Sequence, residues 1–143
     1  MSDRLFPTLL SPRGIAWFWA GALVGLYVIE FPVRFTAPEI DYANAIGVGA
    51  RVFARLNVAE WALLGTMVVF ALIARSTWRF WIAGVVIAAL LGFETFVLLP
   101  ELTTRAAEIV AAGSPEPSSA HRIYSSLELV KAAALAFVAI GPR

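Results

Sequence analysis

Apolar residues gather into four long runs, at residues 15–33, 49–74, 80–99 and 123–140, parted by short polar stretches. Each run reaches or approaches the roughly 20 residues a helix needs to cross about 30 Å of hydrocarbon. They are too long for strands, and a bilayer admits only helices or closed barrels. The pattern predicts a single domain over residues 1–143, an all-α integral membrane four-helix bundle.

The connections are unequal. Runs two and three are joined by a short turn, Arg75-Ser-Thr-Trp-Arg79, whereas the other two connections are longer and carry helical signals. Thr36-Ala-Pro-Glu39 reads as a capping box with proline in the first turn. It predicts a short helix that meets the second span with a bend near Gly47 and Gly49. The third span is expected to continue past Pro100 over 101–112, with Glu101 and Arg105 paired one turn apart. Gly113 suits the stop, and Ser114-Pro-Glu-Pro-Ser-Ser119 a loop. One face of the bundle is therefore bare and the other carries short helical extensions.

Composition agrees with a bilayer as solvent: 60% of residues are hydrophobic and 15% charged, against about 45–50% and 25% in soluble domains. A net charge of +1 gives no reason to expect nucleic acid. The absence of cysteine excludes iron–sulfur clusters and thiolate chemistry, and a single histidine, His121, excludes bis-histidine haem within the chain. The expected surroundings are the lipid bilayer, with a second copy or a membrane-complex subunit as candidate partners. Arginine outnumbers lysine ten to one and alanine is abundant, a composition associated with GC-rich bacterial genomes and so with a bacterial cytoplasmic membrane.

Basic residues tie at five on each face, but Arg4, Arg13, Arg75, Arg79 and Arg143 hug the helix ends of the bare face. That favours the bare face, with both termini, as cytoplasmic. Trp17, Trp19, Trp78 and Trp81 are expected to belt it.

Each span holds one glutamate. Glu30 lies 15 residues past Ile15, Glu60 lies 15 before Arg75, Glu94 lies 15 past Arg79 and Glu128 lies 15 before Arg143. Four antiparallel helices would bring these carboxylates to one level, roughly 22 Å from the cytoplasmic end. An ionised group there costs on the order of 2.5–3.5 kcal/mol, so such groups face the bundle interior and find partners. His121, Tyr124, Glu128 and Lys131 share a stripe on the fourth helix, as do Tyr27, Glu30 and Arg34 on the first, while Asn57 stands one turn from Glu60 on the second. A polar pocket opening towards the extended face follows, with Lys131 as its deepest charge.

Several readings compete for this pocket. The carboxylates could pair with Lys131, Arg34 and Arg55 to fix helix register, as a structural or assembly subunit would need. Glu30, Glu60, Glu94 and Glu128 could hold a divalent metal, since four carboxylates from four helices form the ligand set of bundle di-metal proteins. No Glu-x-x-His completes that motif here, and Lys131 repels a cation. Clustered carboxylates also suit proton or cation transport, and a polar pocket could take a small polar or quinone-like molecule. The reading carried forward is a site that binds or moves a cation, proton or small polar molecule.

The layout resembles small four-helix membrane proteins of the transmembrane-protein-205-like and anthrone-oxygenase-like families. The resemblance rests on Phe35-Thr-Ala-Pro38 followed by Val52-Phe53, and on Phe93-Glu-Thr-Phe-Val-Leu-Leu-Pro100, a helical extension and His121-Arg-Ile-Tyr-Ser-Ser126. It implies the same four-helix fold, and the second family implies an oxygenase acting on a lipophilic aromatic substrate.

Overall fold

A computed structural model describes residues 11–112 and 119–140, with side chains described at 11–111 and 122–140. Four helices account for nearly all of them. Helix α1 runs over Pro12–Thr36, α2 over Tyr42–Ile73, α3 as the consecutive segments Trp78–Phe93, Glu94–Leu98 and Leu99–Ala112, and α4 over Ser119–Ile140. All four are long and apolar enough to cross a membrane. Their outward faces carry large apolar side chains, among them Phe18, Val28, Val85, Phe96, Leu129 and Phe137. Outward apolar faces are what a lipid solvent requires, so the all-α membrane bundle expected from the sequence is the fold.

Local chemistry sets the ends. Ser11 caps α1 by accepting the Gly14 N–H at 3.1 Å, with Pro12 in the first turn, where its missing N–H is harmless. The α2–α3 turn closes as a Schellman motif: Ser76 N–H donates to the Ala71 carbonyl at 3.0 Å and Arg75 N–H to that of Leu72 at 3.3 Å. Arg75 adopts φ 50° there, a left-handed position that favours glycine.

Two local expectations are corrected. No helix starts at Thr36-Ala-Pro-Glu39; residues 37–41 form a loop, and Asp41 caps α2 instead, accepting the Asn44 N–H at 2.8 Å and its side-chain amide at 2.7 Å. The Thr36 hydroxyl is turned back to the Pro32 carbonyl at 2.8 Å, so it is not available as a cap. Helix α2 then runs unbroken through Gly47 and Gly49. On the extension of α3, Arg105 approaches Glu108 at 3.9 Å rather than Glu101, an exposed pair of little energetic weight.

Helices α1 and α3 share a further feature. Leu26–Glu30 and Glu94–Leu98 are single π-helical turns, closed by Phe31 N–H to the Leu26 carbonyl and Leu99 N–H to the Glu94 carbonyl. Each ends two residues before a proline, Pro32 or Pro100. A proline inside a helix lacks the N–H and crowds the carbonyl four residues back. The wider turn relieves both problems without breaking the helix.

In the ring of packed helices, α1 lies against α2 and α4, and α3 against α2 and α4, while the upper half of α2 packs on the extension of α3. Two apolar clusters fill the interior. The larger contains Trp19, Leu23, Leu64, Met67, Ile87, Leu91 and Leu135; the smaller contains Phe53, Leu98, Leu102 and Tyr124. Along α2, α3 and α4 the buried glutamates fall between members of the two clusters, so a polar layer is sealed above and below by hydrocarbon.

Candidate functional site: a buried ammonium among three carboxylates

The polar layer is built on helical spacing. On α2, Phe53, Asn57, Glu60 and Leu64 recur at steps of three and four and are all buried. On α3, Leu91, Glu94 and Leu98 do the same, and on α4 Tyr124, Glu128, Lys131 and Leu135. Glu60, Glu94 and Glu128 lie 13, 16 and 12 residues from Ile73, Trp78 and Ile140, roughly 18–24 Å along each helix. Antiparallel packing therefore sets them level, with a carboxylate oxygen of each within 4.8 Å of the others.

Lys131 occupies the middle. Its Nζ donates to Glu94 Oε2 at 2.5 Å, Glu60 Oε1 at 2.8 Å and Glu128 Oε1 at 3.0 Å. The three donors of an ammonium are thus matched to three carboxylates on three helices. Neither Lys131 nor any of the three glutamates is more than 1% exposed. A fourth contact comes from α1: the Trp19 indole N–H donates to Glu60 Oε1 at 2.9 Å. One carboxylate oxygen so accepts from two donors, while Glu60 Oε2, Glu94 Oε1, Glu128 Oε2 and the Tyr124 hydroxyl are buried without a hydrogen-bond partner in the protein. Each such group costs free energy unless a proton, ion or water completes it.

Beside this layer the Asn57 side-chain amide and the Trp61 indole N–H both donate to the Thr95 hydroxyl oxygen at 3.0 Å. Asn57 is thereby held by α3 rather than by Glu60, although it stands one turn away.

The remaining candidates lie elsewhere. Glu30 is not drawn into the cluster; its side chain is about one-third exposed (32%) and reaches Arg34 Nε at 3.3 Å, one turn along its own helix. It sits in the π turn before Pro32 and stays in register with Arg34, which takes its carboxylate. Tyr27 is half-buried, its ring 6.5 Å from that of Phe31, with the hydroxyl inside. Tyr124 is fully buried, 4.7 Å from the Phe53 ring, one turn above Glu128. Arg55 is exposed and pairs with none of the carboxylates. The side chain of His121 lies outside the described residues.

Two contributors escaped the sequence reading. Trp19 looked like an interfacial belt residue, but it is wholly buried; Trp17 and Trp78, at 54% and 67% exposure, do face outward. The signal was available, since Ile15, Trp19 and Leu23 share one helix face. Thr95 carried no such signal, because an isolated threonine in an apolar helix usually bonds its own backbone, as Thr95 also does to the Leu91 carbonyl at 2.6 Å.

The electrostatics follow from counting. One ammonium balances one of three carboxylates, leaving two negative charges that must be matched by protons or by a cation. A divalent ion cannot sit at the centre of the three oxygens while Nζ holds it. No family model, curated protein or solved structure matches the chain.

Proposed function

We propose that the protein holds and exchanges protons at this membrane-buried site. The observation that supports the reading most strongly is that three carboxylates share a single ammonium, with one oxygen of each left unpartnered. A proton is the positive charge small enough to complete such an oxygen without displacing Lys131. Carboxyls grouped around a basic residue inside a bundle are the usual elements of proton relays.

Infrared difference spectroscopy of protein in mild detergent tests this directly. A deuterium-sensitive carbonyl band of protonated carboxyl is expected, weakened separately by Glu60→Gln, Glu94→Gln and Glu128→Gln. No protonated-carboxyl band, together with stoichiometric divalent metal by elemental analysis, would replace the proton by a cation. Absence of both would leave the layer as a device for locking helices, a role that its sealing between two apolar clusters also favours.

We further propose that the protein resides in a bacterial cytoplasmic membrane with both termini inside. The short Arg75-Ser-Thr-Trp-Arg79 turn and its neighbouring arginines support this orientation. In intact cells, Ser114→Cys is expected to react with a membrane-impermeant thiol reagent. Labelling that appears only after permeabilisation reverses the topology.

A further inference from the structure

Above the sealed layer, towards the extended end, α1, α2, the α3 extension and the start of α4 surround a second concavity of about 170 Å³. Its wall is apolar and aromatic, with Phe35, Tyr42 and Phe53 among the lining residues, and among the described residues its ionisable groups besides Tyr42 are Arg34, Arg105 and Arg122. Among the described lining residues there are three cations and no carboxylate, the partners Glu30 of Arg34 and Glu108 of Arg105 not being among the lining residues.

Arg34 is the built part of the site. It is 5% exposed, far more buried than a surface arginine. Its guanidinium carbon lies 5.6 and 5.2 Å from the centroids of the Phe31 and Phe35 rings, an arrangement that orients a planar cation. Glu30 lies near Nε, yet buried Nη1 has no hydrogen-bond partner. Gly49 makes the position available: a Cβ there would overlap Nη1 and come within 2.8 Å of Cζ. A buried, aromatic-braced guanidinium with an unused donor, in the wall of an apolar pocket that two exposed arginines also line, is arranged for an oxyanion.

We propose that this pocket binds an anionic amphiphile, a phosphate- or carboxylate-headed molecule with an apolar tail, such as an anionic membrane lipid. The headgroup meets Arg34, Arg105 and Arg122, and the tail follows the aromatic wall. The ligand does not enter the carboxylate layer, because buried Phe53 and Tyr124 stand between.

Purified full-length protein in a neutral detergent would be titrated with phosphatidylglycerol, with phosphatidylcholine of the same chains, and with inorganic phosphate, read by native mass spectrometry and thermal shift. One phosphatidylglycerol per chain is expected, with at least about tenfold preference over phosphatidylcholine and a similar loss in Arg34→Gln, the scale of one charge-assisted hydrogen bond. Gly49→Ala, which displaces the guanidinium, and the exposed double variant Arg105→Gln/Arg122→Gln should weaken binding if Arg34→Gln fails to fold. Equal retention of the two lipids, or unchanged affinity in the variants that fold, overturns the proposal. So does inorganic phosphate binding as tightly as the lipid, which would assign the arginines to a free anion. None of these outcomes depends on whether the carboxylate layer carries protons.

Discussion

Replacing Lys131 by methionine is expected to destabilise the detergent-solubilised bundle by about 3–5 kcal/mol, the scale of removing one partner from a buried ion pair. The substitution keeps much of the side-chain length but leaves three carboxylates facing one another in a buried layer. The second change Glu128→Gln should restore only part of the loss, since Glu60 and Glu94 remain and both lie closer to Nζ than Glu128 does. Acidification should restore more, because protons can stand in for the missing ammonium. Denaturant unfolding followed by circular dichroism, at neutral and at acidic pH, measures both effects. A Lys131→Met protein as stable as wild type at neutral pH would show that the ammonium is not what holds the layer together.

Trp19→Ala is expected to cost about 2–3 kcal/mol, from the cavity left by a wholly buried indole and the loss of its bond to Glu60. The transfer part of a typical core truncation is small here, because helices separated in lipid still keep the indole out of water. Trp19→Phe retains most of the volume and should lose only about 1 kcal/mol, the share of the hydrogen bond. Comparing the two in the same unfolding assay separates packing from polarity. Equal losses for both variants would mean that the hydrogen bond carries all the effect and the packing none.

The fold was readable because a bilayer leaves few choices. Long apolar runs become helices, and the glutamates and lysine within them must turn inward. The level of Glu60, Glu94 and Glu128 followed from residue counts alone, since a straight helix converts number into depth. Glu30 defeated that arithmetic because an arginine one turn along its own helix, Arg34, takes its carboxylate before it can reach the layer. Pro32 and Pro100 were visible warnings, but whether a helix answers a proline by kinking, ending or widening depends on its neighbours. Asp41 prevailed over Thr36 as a cap for a tertiary reason as well: starting α2 at Tyr42 leaves a five-residue loop in which α1 can reverse. Trp19 was misplaced because tryptophan at a membrane border is common enough to hide one that turns inward.

The position of Lys131 in α4, after α2 and α3 in chain order, bears on how the protein is made. When α2 and α3 leave the ribosome and enter the membrane, Glu60 and Glu94 arrive with no ammonium to meet them, since the chain's one lysine lies further on in α4. The nascent three-helix intermediate must keep those side chains protonated, hydrated or turned towards the insertion machinery. α4 brings its own carboxylate and the shared lysine together, and its docking closes the layer in a single step. Chains truncated before α4 should therefore be recognised as unfinished and degraded, which makes the docking of α4 a checkpoint of assembly.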